Sequence, residues 1–352
     1  MTGATQAIRL GIGPANYAGQ AFAWASAVTR HLGVEAESFT VTRPRQGFQF
    51  DIHRRLSAPS YYLPIARRWR TGRFLAPYSH VLLDGYRPVL YGDALTKTIS
   101  ATRLVATVGL MAHGTDVRDP DEHMDRNPFS YFREGDDDWL GTRRRVTAAN
   151  RELALSSGLP LFVSTPDMLH DLPTATWVPV CLDPEPWANP RPPLEREVPT
   201  VLFVPSQRTP PIKGTRYVAP VLESLQRRGL INYIAPSGVP HERMREMVRD
   251  ADIVVDQLLF GSYGVAAIEA MAAGRVVVGN LCNLDATVAP EVPEIESATP
   301  DDFEERILAI LDERDEARSR AARNVDFVRR WHDGRVSAER IARFLGRASD
   351  GH

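Results

Sequence analysis

Cysteine and lysine are both scarce in this 352-residue chain. Its two cysteines, Cys181 and Cys282, exclude a disulfide framework and a cysteine-rich zinc site, and they suit a reducing compartment. Only Lys97 and Lys213 are lysines among the 42 basic residues; the others are arginine. A lysine retained against that bias is a candidate for a specific task. No apolar run reaches the ~20 residues that span a bilayer. Met1–Leu10 lacks a basic stretch followed by an apolar core, so no signal peptide is expected and the chain reads as cytoplasmic. A large excess of one charge is also missing: a net charge of −2 argues against a general nucleic-acid partner. Hydrophobic residues make up 43% and charged residues 24%, the ordinary balance of a soluble globular protein, and the length suits two domains.

The most informative stretch is Phe260-Gly-Ser-Tyr-Gly-Val-Ala-Ala-Ile-Glu-Ala-Met-Ala-Ala-Gly274. The apolar run Ala251–Val255 precedes it and the β-branched run Val276–Val278 follows. Val265–Ala273 has helical composition, with Gly274 as a stop. The local reading is strand, glycine turn, helix, strand. Gly261 and Gly264 sit where strand hands over to helix, and a helix N-terminus there suits a phosphate. Glu269 stands among small and apolar neighbours. Either it binds ligand hydroxyls or it lies on a solvated face.

At the other end of the chain, strand Ala7–Ile12 leads into Gly13-Pro-Ala-Asn16-Tyr-Ala-Gly19 and then helix Gln20–Leu32. Gly11-Ile-Gly13 opens like a dinucleotide fingerprint, but position 16 is Asn, so NAD binding is rejected. The loop offers backbone N–H groups to a ligand, or it is a plain tight turn. Val105–Ala112 reads as a strand ending at His113-Gly114, where ligands of open α/β sheets bind, so His113 is the leading catalytic candidate. The acids and histidine of Asp116–Asp125 lie in what reads as a polar loop, without metal-ligand spacing. Asp136–Asp138 reads as an exposed turn or helix cap. Arg54, Arg55, Tyr61, Tyr62, Arg67–Arg70 and Arg73 form an arginine and aromatic patch. A solvated helix accounts for it best, and an anionic or lipid acceptor is the alternative.

Helices are expected over Arg145–Ser156 and from Thr165, with Pro166 in its first turn. Six prolines between Asp183 and Pro199 mark a stiff linker. Beyond it, strand Thr200–Val204 precedes Ser206-Gln-Arg208-Thr-Pro-Pro-Ile-Lys213-Gly214. Lys213-Gly-Thr is not a P-loop, because the Gly-Lys-Thr order is missing. Further helices are expected over Val218–Arg228, His241–Arg249, Phe303–Leu311, Ala317–Arg329 and Arg335–Leu345, and Pro236–Pro240 is a loop able to take a base through its backbone.

Taken in order, the glycine loop, His113-Gly, the hinge, Arg208-x4-Lys213 and Glu269-Ala-Met-Ala-Ala-Gly resemble the retaining glycosyltransferases of family 4, over nearly the whole chain. That family has the GT-B fold. The resemblance implies two Rossmann-like doubly wound domains facing across a cleft: 1–183 for the acceptor, a hinge at 184–199, 200–332 for the nucleotide sugar, and a helix in 333–352 crossing back to the first domain. It implies His113 beneath the sugar, and Arg208 and Lys213 neutralising the donor diphosphate without a metal or resident cofactor. Gly13, Asn16 and Gly19 would face the donor, and Ser262, Tyr263, Gly264, Val265 and Glu269 would hold the nucleotide, Glu269 on its ribose. The family's first Glu, which touches the sugar, falls at Gly261, with Asp256 and Gln257 nearby as substitutes. The expected reaction moves a sugar from a nucleotide diphosphate to an acceptor hydroxyl, in glycan, glycolipid or natural-product synthesis. A non-catalytic nucleotide-sugar binder and a nucleotide-sugar epimerase are the alternatives.

Overall fold

The computed structural model describes residues 7–40, 53–55, 72–89, 94–205 and 210–347. Seven strands build a first, wholly parallel sheet: β1 (Arg9–Gly13), β2 (Glu35–Thr40), β3 (Arg54–Arg55), β4 (His80–Asp84), β5 (Thr107–Ala112), β6 (Leu161–Val163) and β7 (Thr176–Trp177), in the order β3-β2-β1-β4-β5-β6-β7. Five strands build the second, also parallel: β8 (Thr200–Phe203), β9 (Asn232–Ile234), β10 (Ile253–Val255), β11 (Val276–Gly279) and β12 (Glu296–Ser297), in the order β12-β11-β10-β8-β9. The order reverses between β1 and β4 in one sheet and between β8 and β10 in the other. Those two points are where doubly wound sheets open a crevice.

Parallel strands joined by helices are covered on both faces, so nearly every position is apolar and the two-residue period sorts the faces. Val201, Phe203, Ile253, Val255, Val276 and Val278 share one core, while Leu202, Val254 and Val277 share the other. In the first sheet Leu10, Ile12, Leu82 and Met111 face one core, and Val81, Leu83, Leu110 and Ala112 the other.

Among the described residues the helices are α1 (Gln20–Leu32), α2 (Leu95–Thr102), α3 (Pro120–Arg126), α4 (Asp137–Ser157), α5 (Thr215–Arg227), α6 (His241–Asp250), α7 (Val265–Ala272), α8 (Phe303–Asp312), α9 (Arg314–Trp331) and α10 (Arg335–Phe344). Among the described residues, none is long and apolar enough to cross a membrane. The sequence reading missed α2 and took α3 for a loop. Asp119 caps α3, accepting from Asp121 N at 2.8 Å and Glu122 N at 3.1 Å, with Pro120 in its first turn. The helix α4 starts at Asp137 because Asp136 accepts from Trp139 N at 2.7 Å, so this acid run is a helix cap. The helix expected from Thr165 stops after one 3-10 turn, Pro166–Leu169, since Leu172 precedes Pro173.

Two connections join the sheets side by side. The outgoing one follows β7, and Leu182 N donates to His332 O at 2.8 Å. The returning one crosses at His332, whose Nδ1 meets Val180 O at 2.7 Å. Beyond it α10 lies on the first sheet: Ala338, Ile341 and Phe344 pack with Leu10, Trp24 and Val28, and Ser337 donates to Pro179 O at 2.7 Å. The proline-rich connection is fastened to the second sheet, with Leu194 in its core and Arg191 and Arg196 both paired to Asp252 at 3.0 and 3.2 Å. One exchange runs the other way. Tyr131 and Phe132, between β5 and β6, are fully buried in the second sheet's core.

Candidate functional site

The crevice of the second sheet is formed by the loops after β8 and β10. Arg208 lies outside the described residues. Lys213 ends the first loop; its carbonyl accepts from Leu258 N at 3.4 Å, which ties the two loops together. Asp256 is the first residue after β10. It is buried, and its Oδ2 accepts from Gly264 N at 3.1 Å. Burial pushes its carboxyl above the ordinary value, against the downward pull of the Lys213 ammonium. Asp256 is hydrogen-bonded to its neighbour Gln257, and both are buried.

Gly264 caps α7 with no side-chain partner, and the first intrahelical bond of that turn is Ile268 N to Gly264 O at 3.2 Å. The N–H groups of Val265, Ala266 and Ala267 thus have no acceptor inside the helix, and they carry its positive dipole end. Next to them the buried Ser262 Oγ has no hydrogen-bond partner among the described residues. Glu269 lies on the second turn of α7 and is buried with the apolar residues around it, so the solvated-face reading fails. The Tyr263 ring is enclosed by Phe327 and His332, with its hydroxyl 3.3 Å from His332 Nε2. Its side chain belongs to the core, and only its backbone is left for a ligand.

Gly261 has a physical reason to be glycine. Its φ is +79°, and a Cβ there would fall 2.7 Å from Asn283 Cγ and still closer to Nδ2. The carbonyl of Gly261 accepts from Asn283 N at 2.9 Å, which holds the amide in that space.

The crevice of the first sheet gathers the second group of predicted residues. Gly13 is required by packing, since a Cβ would lie 2.8 Å from Phe39 Cδ2. Asn16 and Gly19 are left-handed, with φ of 45° and 74°. Asp84, at the end of β4, is fully buried and accepts from Ala15 N at 2.6 Å and Asn16 N at 2.7 Å. These two loop N–H groups are thus spent on a carboxylate of the same fold. His113 follows β5 and lies against the rings of Tyr17 and Trp24, with Nε2 3.5 Å from Asp84 Oδ2. Asp116 accepts from His113 N at 2.9 Å and Gly114 N at 2.7 Å.

Asp84 was not anticipated, and its only sequence signal was its place at a strand end before Gly85. Arg118 was also missed. It donates to Asp167 Oδ2 from Nε at 3.0 Å and Nη2 at 2.6 Å, and its guanidinium lies 4.4 Å from the Phe260 ring centre. Both members of this ion pair are buried. Three further acids of the 116–125 stretch are paired: Asp119 with Arg151, Asp121 with Arg144 and Glu122 with Arg126. Among the described residues no three His, Cys, Asp or Glu side chains are arranged to hold a metal ion. Of the arginine and aromatic patch, residues 56–71 lie outside the described residues. Arg54 packs on Phe74 and donates to Tyr78 Oη at 3.1 Å.

No protein-family model and no curated protein sequence matches this chain. Solved structures do. Sucrose-phosphate synthase from Thermosynechococcus elongatus superposes with a TM-score of 0.63 at 15% identity, covering 97% of this chain and 98% of the other. HepE from Anabaena, solved in complex with UDP and glucose, gives 0.59 at 10% identity over 97% and 99%. WaaG, a glycosyltransferase involved in lipopolysaccharide biosynthesis, gives 0.53 at 14% over 96% and 99%. Over its described residues the chain has the GT-B fold of these enzymes.

Proposed function

We propose that this protein is a glycosyltransferase that moves a sugar from a nucleoside diphosphate to an acceptor hydroxyl. The observation that carries the proposal is the pair of loops after β8 and β10, which supply Lys213, the N-terminus of α7 with no side-chain cap among the described residues, and the Ser262 hydroxyl with no hydrogen-bond partner among them. A diphosphate fits that set: the ammonium and the helix dipole neutralise it, and the free N–H and O–H groups donate to it. Glu269, one turn further along α7, is the group we assign to the ribose hydroxyls. The UDP in the HepE complex accords with this reading.

As a leaving group the diphosphate gains negative charge in the transition state. Lys213, aided by Arg208, stabilises that charge, so the reaction requires no metal ion. In this reading His113 lies beneath the sugar, and the loop of Gly13, Asn16 and Gly19 faces the donor. Transfer with retention is part of the proposal, by resemblance to family 4, as is a cytoplasmic place of action. The acceptor is a hydroxyl compound.

A second reading, a nucleotide-sugar binder without turnover, is favoured by Gly261. The backbone there leaves no room for the carboxylate that family 4 directs at the sugar. Calorimetric titration with UDP, GDP, dTDP and ADP in EDTA tests the donor site. Micromolar binding of one nucleotide, lost in Lys213→Ala and Glu269→Ala, is expected; no binding, or binding that requires metal, sinks it. Release of free nucleotide from the matching donor sugar then separates the enzyme from the binder.

A further inference from the structure

We infer that His123, in the first half of the chain, is the positioning residue that holds the donor loop Leu258–Gly264 in the second half. The donor part of this inference rests on the function proposed above. His123 is fully buried on α3. Its Nε2 lies 2.9 Å from Phe260 O, and its Nδ1 lies 2.7 Å from Ser130 Oγ. A carbonyl oxygen carries no proton, so Nε2 must carry the hydrogen. Burial first, and then the nearby Arg118 charge, lower the imidazole to about 3, so the ring is neutral and Nδ1 is an acceptor. The Ser130 hydroxyl therefore donates to Nδ1, while its oxygen accepts from Phe132 N at 3.2 Å. The relay is determined at every atom, from Phe132 N–H to Phe260 O.

The adjacent carbonyl is held in the same way. Leu259 O accepts from Tyr131 N at 3.0 Å and from Asn127 Nδ2 at 3.2 Å. The next, Gly261 O, accepts from Asn283 N at 2.9 Å, and Asn283 O in turn meets His170 Nε2 at 3.2 Å. Each of three consecutive carbonyls of the loop thus has a donor, direct or through one residue, that precedes the hinge, and Phe260 O has a second donor beyond it, Asn283 Nδ2 at 3.3 Å. The left-handed turn at Gly261 follows at once, and Ser262 and the uncapped start of α7 follow the turn. The orientation of the phosphate-binding groups is therefore set from across the chain. Apolar anchoring alone does not explain this arrangement, because Tyr131 and Phe132 already supply it. The hydrogen bonds add direction.

The test uses the full chain with His123→Ala, His123→Gln and Asn127→Ala. The Gln amide keeps an N–H donor for Phe260 O. Hydrogen exchange is read over residues 258–266, with α1 and α10 as internal references, and the same four nucleotides are titrated. His123→Ala is expected to speed exchange in 258–266 alone and to weaken nucleotide binding at least tenfold. His123→Gln should return both to within threefold of the wild type, and Asn127→Ala should shift both in the direction of His123→Ala. Unchanged exchange in both alanine variants overturns the inference, as does faster exchange with unchanged affinity. A Gln variant as impaired as Ala overturns the hydrogen bond as its cause. If His123→Ala does not fold, Asn127→Ala carries the comparison. A wild type that binds no nucleotide defeats the proposed function, and the exchange measurement then still decides whether His123 holds the loop.

Discussion

The amide of Asn283 occupies the space into which any side chain at Gly261 would grow, with Cγ 2.7 Å from a Cβ built there. Restoring a carboxylate by Gly261→Glu should therefore not improve the protein. The left-handed φ of +79° and the overlap together should cost about 2–4 kcal/mol in urea unfolding. Adding Asn283→Gly should recover the overlap part and leave the backbone part. A Gly261→Glu variant as stable as wild type would show that the loop is built differently.

In the proposed function Lys213 faces two acidic groups, a substrate diphosphate and the buried Asp256. Lys213→Ala should weaken nucleotide diphosphate binding by 10- to 100-fold, the worth of a charge-assisted contact at about 1.5–3 kcal/mol. It should also remove the pull that lowers Asp256, so that carboxyl should titrate at higher pH in the variant. Lys213→Arg keeps the charge and should fall between the two in affinity. Equal binding by all three proteins would remove Lys213 from the site.

Acid should act on Asp171 in a direction opposite to most carboxylates. Burial pushes it up to about 6, although it accepts from Asp119 N at 2.7 Å and lies near Arg118 and Arg126, with Asp167 adding a like charge. The folded state thus binds this proton more tightly than the unfolded chain. The stability from this group is full below about pH 4 and is lost as pH rises through 6. Asp171→Asn removes that dependence. Relative to wild type, the variant should gain about 3 kcal/mol between pH 4 and pH 7. A difference that stays flat across this range would contradict the shift.

Arg118 and Asp167 are each costly to leave alone. Arg118→Ala should destabilise the fold by about 3–5 kcal/mol, because Asp167 would remain buried without its cation. The paired apolar variant Arg118→Met with Asp167→Leu should recover most of that loss. Additive losses in the double variant would show that the two side chains do not act as a pair.

The sequence by itself determined the repeated alternation of strand, glycine turn and helix. The β-branched runs Ile253–Val255 and Val276–Val278, the glycines that end helices at 33 and 274, and Lys213 among the arginines were all legible. Such signals act over a few residues, through φ, capping and a two- or 3.6-residue period. Helix α3 escaped because it has only seven residues, too few for a period, and depends on the Asp119 cap. Tertiary structure alone decided that Asp84 would hold Asn16 and stand beside His113, since the first contact spans 68 residues and joins the end of one strand to the loop after another. It alone joined His123 to Phe260 across 137 residues, and it put Asn283 where a side chain at 261 would go. A hydrogen bond between distant segments has no local period. It exists because the order of strands in a sheet brings two loops to the same edge, and because a buried donor or acceptor there must be paired.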